Sequence, residues 1–389
     1  LSCRARGALD FSIPPAEWLP LPPPPEVCLT HHGADRPDAG PTVRAGDAVL
    51  LGQLLAPGAG PYAPVFSSVS GRVRAVSEQT ILLENDRMNT RSPRLKAHAT
   101  ADELAPDELR ALLGSFGLLP PGAADRPLVL NALVPEPGLD DGFLLREPER
   151  VFGGLRLYLR ACRPAEALVA VGRRQQEVRR LAVRCGFSPR VLSGRYPQAR
   201  EPVLLQALFG RRLPPGGCAV LSPEALGAVW DAVYDGLPPV FCEVTLHIQD
   251  RPSNLHFRVP AGTPAEHILR AAREAWPVTL AGGLLTGRPL AARGEPVAGL
   301  SLCLSCLELP EPRRPARCLS CGRCAAVCPA GLWPALLRSL SRRRQQSFGA
   351  PRCLRCNLCA AVCPAGLPVW YQTAKKEALH GVGAVSPSE

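Results

Sequence analysis

Four cysteines stand at C-x2-C-x2-C-x3-C-P in CLSCGRCAAVCPAGLWP (318–334), and nearly the same string returns as CLRCNLCAAVCPAGLPV (353–369). The copies agree at 12 of 17 positions, 35 residues apart. Three cysteines at intervals of three wrap their sulfurs around one corner of an iron–sulfur cubane. A fourth, four residues on, sits on a turn leading away. In this bacterial pattern the last cysteine of each run serves the other cluster. The spacing thus predicts one [4Fe–4S] cluster on Cys318, Cys321, Cys324 and Cys363, and a second on Cys353, Cys356, Cys359 and Cys328. Pro329 and Pro364 stop the turn from continuing and turn the fourth thiolate outward. Structural zinc is the competing reading. It favours paired C-x2-C knuckles and has no use for a third cysteine at the same interval followed by Cys-Pro, twice.

The chain has 389 residues and 16 cysteines, eight of them in the repeats. It shows no apolar run near the ~18 residues of a membrane span, and its N-terminus lacks the apolar stretch of a secretory signal. Reduced thiolates in a reducing compartment, with any membrane contact peripheral, follow as expectations. Cys303 and Cys306 form a further C-x2-C without an obvious complementary pair and read as non-ligands. Cys3, Cys28, Cys162, Cys185, Cys218 and Cys242 are scattered and read as small buried hydrophobes.

The net charge of +11 is almost all arginine, because only Lys96, Lys375 and Lys376 are lysines. It suits a solvated surface, anionic lipid or an acidic electron-carrier protein. No nucleic-acid-binding pattern is visible.

Four segments are expected. Residues 1–90 hold a Pro-rich extended arm (13–26) and a small all-β unit punctuated by Gly46, Gly52 and Gly71. Residues 91–238 alternate strand and helix, with a helix over 103–113, a buried strand at 127–134 and a strand–turn–helix over 166–186, which argues for an α/β unit with a partly parallel sheet. Residues 239–300 place Val244, Leu246 and Ile248 on one strand face and Leu255, Phe257 and Val259 on another. A helix follows, with Thr263 as N-cap and Glu266 three residues later. Residues 301–389 carry the repeats, separated by a helix over 332–348.

The order of these parts resembles the C subunit of the Rnf ion-translocating electron-transport complex. The resemblance rests on PPAEWLPLP, VRAGDAVLLGQLLA with VSGRV, YPQAREPVLLQALFGRRLPPGG (196–217), VPAGTP with AGGLLTG (281–287), and the cysteine repeats. It implies a multidomain α/β plus β chain: a barrel-sandwich hybrid, a Rossmann-like flavoprotein-type α/β domain, an SLBB-like β-grasp and an α-helical ferredoxin-like dicluster domain. It further implies FMN and NAD(H) in the α/β domain, with Asn131 and Glu136 near the flavin; read without it, the same two residues make a strand-end turn. Its partners would be integral-membrane and iron–sulfur subunits, with an acidic ferredoxin as a further candidate, at the cytoplasmic face of the bacterial inner membrane. The glycine-rich flavin loop of the family is altered here. In LLGSFGLLPPGAADRP (112–127) Gly114 and Gly117 remain, but the Gly-Gly pair is absent and Pro120 and Pro121 remove amide donors. The N-terminal unit is also similar to biotinyl and lipoyl carriers, yet its hairpin at Ser67–Gly71 has no lysine to modify, so a docking module is expected.

The leading function is a peripheral subunit relaying single electrons. A soluble flavo-iron–sulfur protein similar to cobalamin reductase, and a non-catalytic docking or redox-sensing scaffold, are the alternatives. Arg323 and Arg355 lie inside the cysteine loops, where positive charge favours the reduced cluster. Arg323→Glu is expected to lower the potential of the cluster in its loop, and an unchanged value in a redox titration counts against this.

Overall fold

The computed structural model describes residues 9–32, 38, 40–59, 62–119, 126–211, 213, 214, 216–273, 278–292, 294–308 and 317–367. The Pro120–Pro121 pair, Cys3, Lys375 and Lys376 lie outside them.

The N-terminal unit is an antiparallel sheet of four strands in the order Glu26–Thr30, Thr80–Asn85, Gly71–Val76, Ala48–Val49, beside a two-stranded pair, Leu54–Ala56 with Val65–Phe66. Alternation sends Val27, Leu29, Val73, Ile81 and Leu83 inward to a common core. At Gly71, paired with Asn85, a Cβ would lie 1.9 Å from the Glu84 carbonyl oxygen, so only glycine lets the strands close there. The hairpin Ser67–Gly71 is buried rather than presented, and Ser68 Oγ donates to the Ala261 carbonyl 2.6 Å away. That contact anchors the unit to the end of the strand Asn254–Pro260 in the third sheet.

The middle unit is a wholly parallel sheet ordered Pro189–Leu192, Ala167–Gly172, Leu128–Asn131, Ala219–Leu221. Leu128 and Leu130 face one core and Val129 the other, which explains the unbroken apolar run: the strand is covered on both sides. Helices Pro106–Ser115, Pro148–Cys162 and Pro223–Tyr234 pack on the first face, and Glu201–Phe209 on the second. Pro148–Cys162 was not singled out from sequence. Its Gly153-Gly154 pair lets the helix Pro223–Tyr234 press close, since a Cβ on Gly154 would lie 1.9 Å from the Leu226 carbonyl oxygen.

The third unit is a six-stranded mixed sheet ordered Ala16–Trp18, Asn254–Pro260, Phe241–Ile248, Ser301–Leu307, Val278–Ala281, Arg288–Pro289. The expected faces are seen: Val244, Leu246, Ile248, Leu255, Phe257 and Val259 are all buried in one cluster under the helix Ala265–Ala271. Three expectations need correction. The Pro-rich arm is not a loose extension. Ala16–Trp18 joins the sheet edge in parallel with Asn254–His256, and His267 Nε2 meets the Pro22 carbonyl at 2.7 Å. Thr263 is not the N-cap. Pro264 takes that place in an extended conformation, Thr263 Oγ1 donates to the Pro260 carbonyl, and Glu266 pairs with Arg270. The strand Ser301–Leu307, placed by sequence with the cysteine tail, lies inside this sheet, parallel to Phe241–Ile248.

The helix expected over 332–348 is two helices, Pro334–Ser339 and Arg342–Ser347. Leu340 between them is extended, and Gln345 Nε2 donates to the Leu337 and Leu340 carbonyls that the break exposes.

Between the second and third units Asp231 receives Arg150 at 2.6 Å and Arg258 at 2.8 Å. Glu243 is buried beside them, near Glu224, and its Oε2 has no hydrogen-bond partner among the described residues. Burial pushes the Glu243 carboxyl up to about 7 despite the opposing pull of Arg258 and Arg150. The folded chain therefore binds this proton more tightly than the unfolded chain, and the group's contribution to stability falls as pH rises from the ordinary carboxylate range through about 7. The thermal midpoint of Glu243→Gln is expected to lose less than that of the parent between pH 5 and pH 8; parallel profiles would contradict this.

Candidate iron–sulfur site

The two cysteine loops fold alike. Ser320 (φ 51°) and Arg355 (φ 52°) precede the second cysteine in the left-handed region. Gly322 (φ 72°) and Asn357 (φ 57°) follow it and open the short helices Arg323–Ala326 and Leu358–Ala361. Glycine and asparagine are the residues that accept this conformation most readily. Turned this way, Cys318, Cys321, Cys324 and Cys363 line one concavity of about 490 Å³, together with Leu319, Arg323 and Arg338. Cys328, Cys353, Cys356 and Cys359 line a second of about 460 Å³, with Leu332, Leu337 and Asn357. Both volumes include the part open to solvent. Each concavity draws three thiols from one run and the fourth from the other, and the Leu332 amide donates to Cys328 Sγ at 3.3 Å.

Among the described residues no group of three His, Cys, Asp or Glu side chains converges as a single metal ion requires. The cysteines line two hollows with four thiols each, the number a cubane takes at its iron corners. Burial raises the thiols of Cys328, Cys356 and Cys359, the last to about 12.

The duplicated loops differ in what covers them. Cys318 and Cys321 are exposed, whereas Cys356 is buried. The buried loop is clamped to the body of the molecule. Tyr196, 1% exposed, donates from its hydroxyl to the Cys356 carbonyl. Asn357 Nδ2 donates to the Leu285 carbonyl, and Leu9, Phe11, Leu285, Val327 and Leu354 close around Leu358. These clamp residues were missed as site residues. Tyr196 and Leu285 stand within quoted stretches, YPQAREP and AGGLLTG, but nothing in their spacing ties them to the cysteines. Asn357 in the place of Gly322 was the one readable signal, of a left-handed turn with a side chain left over for bonding.

The flavin-loop residues are engaged otherwise. Gly117 (φ 72°) ends the helix Pro106–Ser115: its amide donates to the Gly114 carbonyl and the Leu118 amide to Leu113, the paired bonds of a Schellman cap. Asn131 donates to the Ala199 carbonyl and accepts from the Leu133 amide. Glu136, buried, receives the amides of Leu285 and Thr286 and the Thr286 hydroxyl at 2.8 Å. Beside them Asp140 takes Asn254, His256 and the Gly142 amide. Burial alone would raise its carboxyl, but His256 and these donors hold it below the ordinary range. Beyond the carboxyl ends of a parallel sheet, where such folds ordinarily take ligands, the described side chains bond to one another.

Cys303 and Cys306 lie buried in the sheet strand Ser301–Leu307, and desolvation pushes Cys303 up to about 12. Cys162, Cys218 and Cys242 are buried as expected, while Cys28 and Cys185 are half-buried.

Residues 15–90 match the family model of the RnfC barrel sandwich hybrid domain, and residues 317–367 that of the 4Fe-4S dicluster domain. Together with the parallel and the mixed sheet between them, these make the chain similar to the RnfC family at its N-terminal unit and to dicluster iron–sulfur domains in its tail. The C subunit of the ion-translocating oxidoreductase complex of Klebsiella pneumoniae is 30% identical over 349 residues, 78% of this chain and 46% of that protein. Its counterpart in Serratia proteamaculans is 28% identical over 377 residues, 84% of this chain and 52% of that protein. The C subunit of the Na(+)-translocating ferredoxin:NAD(+) oxidoreductase complex of Acetobacterium woodii is 26% identical, covering 78% of both. The chain is thus a relative of the Rnf C subunit, as the sequence resemblance implied, and it spans about half the length of the first two relatives. An NAD+-reducing [NiFe]-hydrogenase in the air-oxidized state aligns at TM-score 0.44 and 17% identity over 84% of this chain and 76% of that one. Among the described residues no helix is long and apolar enough to cross a membrane.

Tyr196→Phe removes a buried bond to one cysteine loop only, at a cost of about 1–3 kcal/mol. Amide hydrogen exchange is expected to quicken over 353–359 and to stay unchanged over 318–324; equal quickening in both loops would contradict the clamp.

Proposed function

We propose that this chain is a peripheral electron-transfer subunit of an Rnf-like ion-translocating oxidoreductase, held at the cytoplasmic face of the membrane by partner subunits. The observation that carries the reading is the pair of four-cysteine hollows with exchanged fourth members. When bound there, two [4Fe–4S] clusters take up and release electrons singly. Cys318, Cys321, Cys324 and Cys363 hold the one at the open loop; Cys353, Cys356, Cys359 and Cys328 hold the one at the clamped loop. The chain's own residues do the remaining work. Left-handed Ser320, Gly322, Arg355 and Asn357 aim the sulfurs, Leu332 and Leu337 keep water from the inner hollow, and Tyr196 fixes that hollow against the parallel sheet.

The parallel sheet is a flavoprotein-type α/β domain by descent that serves here as a docking body, because Gly117, Asn131 and Glu136 are engaged in structure. The third unit is a β-grasp of the SLBB kind. The return of Ser301–Leu307 parallel to Phe241–Ile248 across one helix supports this, and extends that domain to about residue 308.

Anaerobically isolated chain is expected to carry about eight irons. Cys363→Ser and Cys328→Ser should each leave about four, and the double variant close to none. Zinc in place of iron, or eight irons retained in either single variant, would overturn the assignment.

A further inference from the structure

The junction between the second and third units carries one carboxylate more than its neighbours can satisfy. A recess of about 300 Å3, part of it open to solvent, is lined there by Glu224 and Asp231 of the helix Pro223–Tyr234, and by Arg150, Arg258 and Glu243. Asp231 takes the hydrogen bonds of both guanidiniums: Arg150 Nε and Nη2 at 3.1 and 2.6 Å, Arg258 Nη2 at 2.8 Å. Arg258 is further held over the Phe241 ring, 4.6 Å from its centroid. Glu243 is left over. Its Oε1 lies 3.9 Å from Arg150 Nη1 and 3.8 Å from Arg258 Nε, beyond hydrogen-bond reach. Its Oε2 has no donor among the described residues, although the residue is only 9% exposed. The nearby wall does not supply one: Pro238 and Pro239 have no amide hydrogen, and the Val240 amide donates to the Pro238 carbonyl.

Three carboxylates thus face two guanidiniums, in a chain whose net charge is +11. A buried polar atom without a partner is costly, and one more positive donor would both balance the charge and fill the vacancy at Oε2. We propose that this recess binds a primary ammonium on an aliphatic stem, either a lysine side chain of a partner chain or a small free amine, with Glu243 as its counter-ion and Glu224 as a second acceptor. An ammonium is compact and brings three donors. Pro238, Pro239, Val240 and Leu300 offer its stem an apolar wall. A divalent metal ion fits less well, because no three acidic, histidine or cysteine side chains converge here among the described residues, and two guanidiniums stand beside the site. The site needs no iron–sulfur cluster and goes beyond the relay.

The test follows the thermal midpoint of the full chain against n-butylammonium chloride at constant ionic strength, with tetramethylammonium chloride and potassium chloride as controls. n-Butylammonium is expected to raise the midpoint saturably. Tetramethylammonium, which has no N–H donor, and potassium are expected to leave it in place. Proton and ammonium compete for Glu243. Burial pushes its carboxyl up to about 7 against the pull of Arg258 and Arg150, with Glu224 and Asp231 adding to the rise. An aliphatic ammonium keeps its own proton to about pH 10. Binding is therefore expected to tighten about tenfold between pH 6 and pH 8. Glu243→Gln is expected to abolish the response and Glu224→Gln to weaken it. Tighter binding of Nα-acetyl-lysine amide than of n-butylammonium assigns the site to a partner's lysine, and the reverse assigns it to a free amine; either upholds the proposal. A midpoint that ignores n-butylammonium, follows potassium equally, responds less as pH rises, or responds alike in Glu243→Gln overturns it and leaves the relay standing.

Discussion

The exchange of the fourth cysteine between two loops is the constraint on which the tail depends. Cys328 leaves its own run and lies with Cys353, Cys356 and Cys359; Cys363 does the reverse. Neither loop can complete a four-thiol hollow alone, so the repeats must fold together. The left-handed residues on either side of the second cysteine make this possible, because they reverse the backbone and point three side chains inward. Among its described residues the tail has little core of its own beyond Ala330, Leu332 and Leu337 on one side and Ala365 and Leu367 on the other, which leaves its order dependent on what the sulfurs hold and on the body it leans against.

That body covers the two loops unequally. Tyr196, Leu285 and Leu9 come from three distant parts of the chain and meet at one loop only. A duplicated sequence is thereby converted into a pair with an inner and an outer member. Different exposure to water and to charge is a standard way of separating the potentials of chemically identical clusters. The same convergence accounts for the carboxyl edge of the parallel sheet. Glu136 is tied to the 285–286 amides and Asp140 to His256, so both carboxylates hold units together. The parallel sheet, the six-stranded sheet with its arm, and the tail are stitched at this edge.

The grouping of the cysteines around two hollows, the parallel character of the middle sheet and the apolar faces of the third unit were legible because each is a local pattern: a fixed spacing, a buried run, an alternation of two. What escaped was non-local. Ala16–Trp18 reads as a Pro-rich arm because nothing in it announces the edge strand Asn254–Pro260 it pairs with. Ser301–Leu307 carries a C-x2-C that drew it toward the tail, while its apolar side chains belong to the sheet. Leu340 breaks a helix whose leucine stripe is regular, because Gln345 caps the carbonyls on the far side of the break. Tyr196 sits in an unremarkable turn and becomes a site residue only when Cys356 arrives beneath it. Gly117, quoted for the family's loop, also serves a helix end, which its isolated position did not announce.

The most direct measurement is electron paramagnetic resonance of the fully reduced, anaerobically purified chain, with its signal integrated against iron. Two adjoining cubanes predict about two spins per chain, with lines broadened by their mutual coupling. A spectrum that integrates to one isolated centre, or a colourless preparation without signal, would contradict the pair of exchanged hollows as an electron relay.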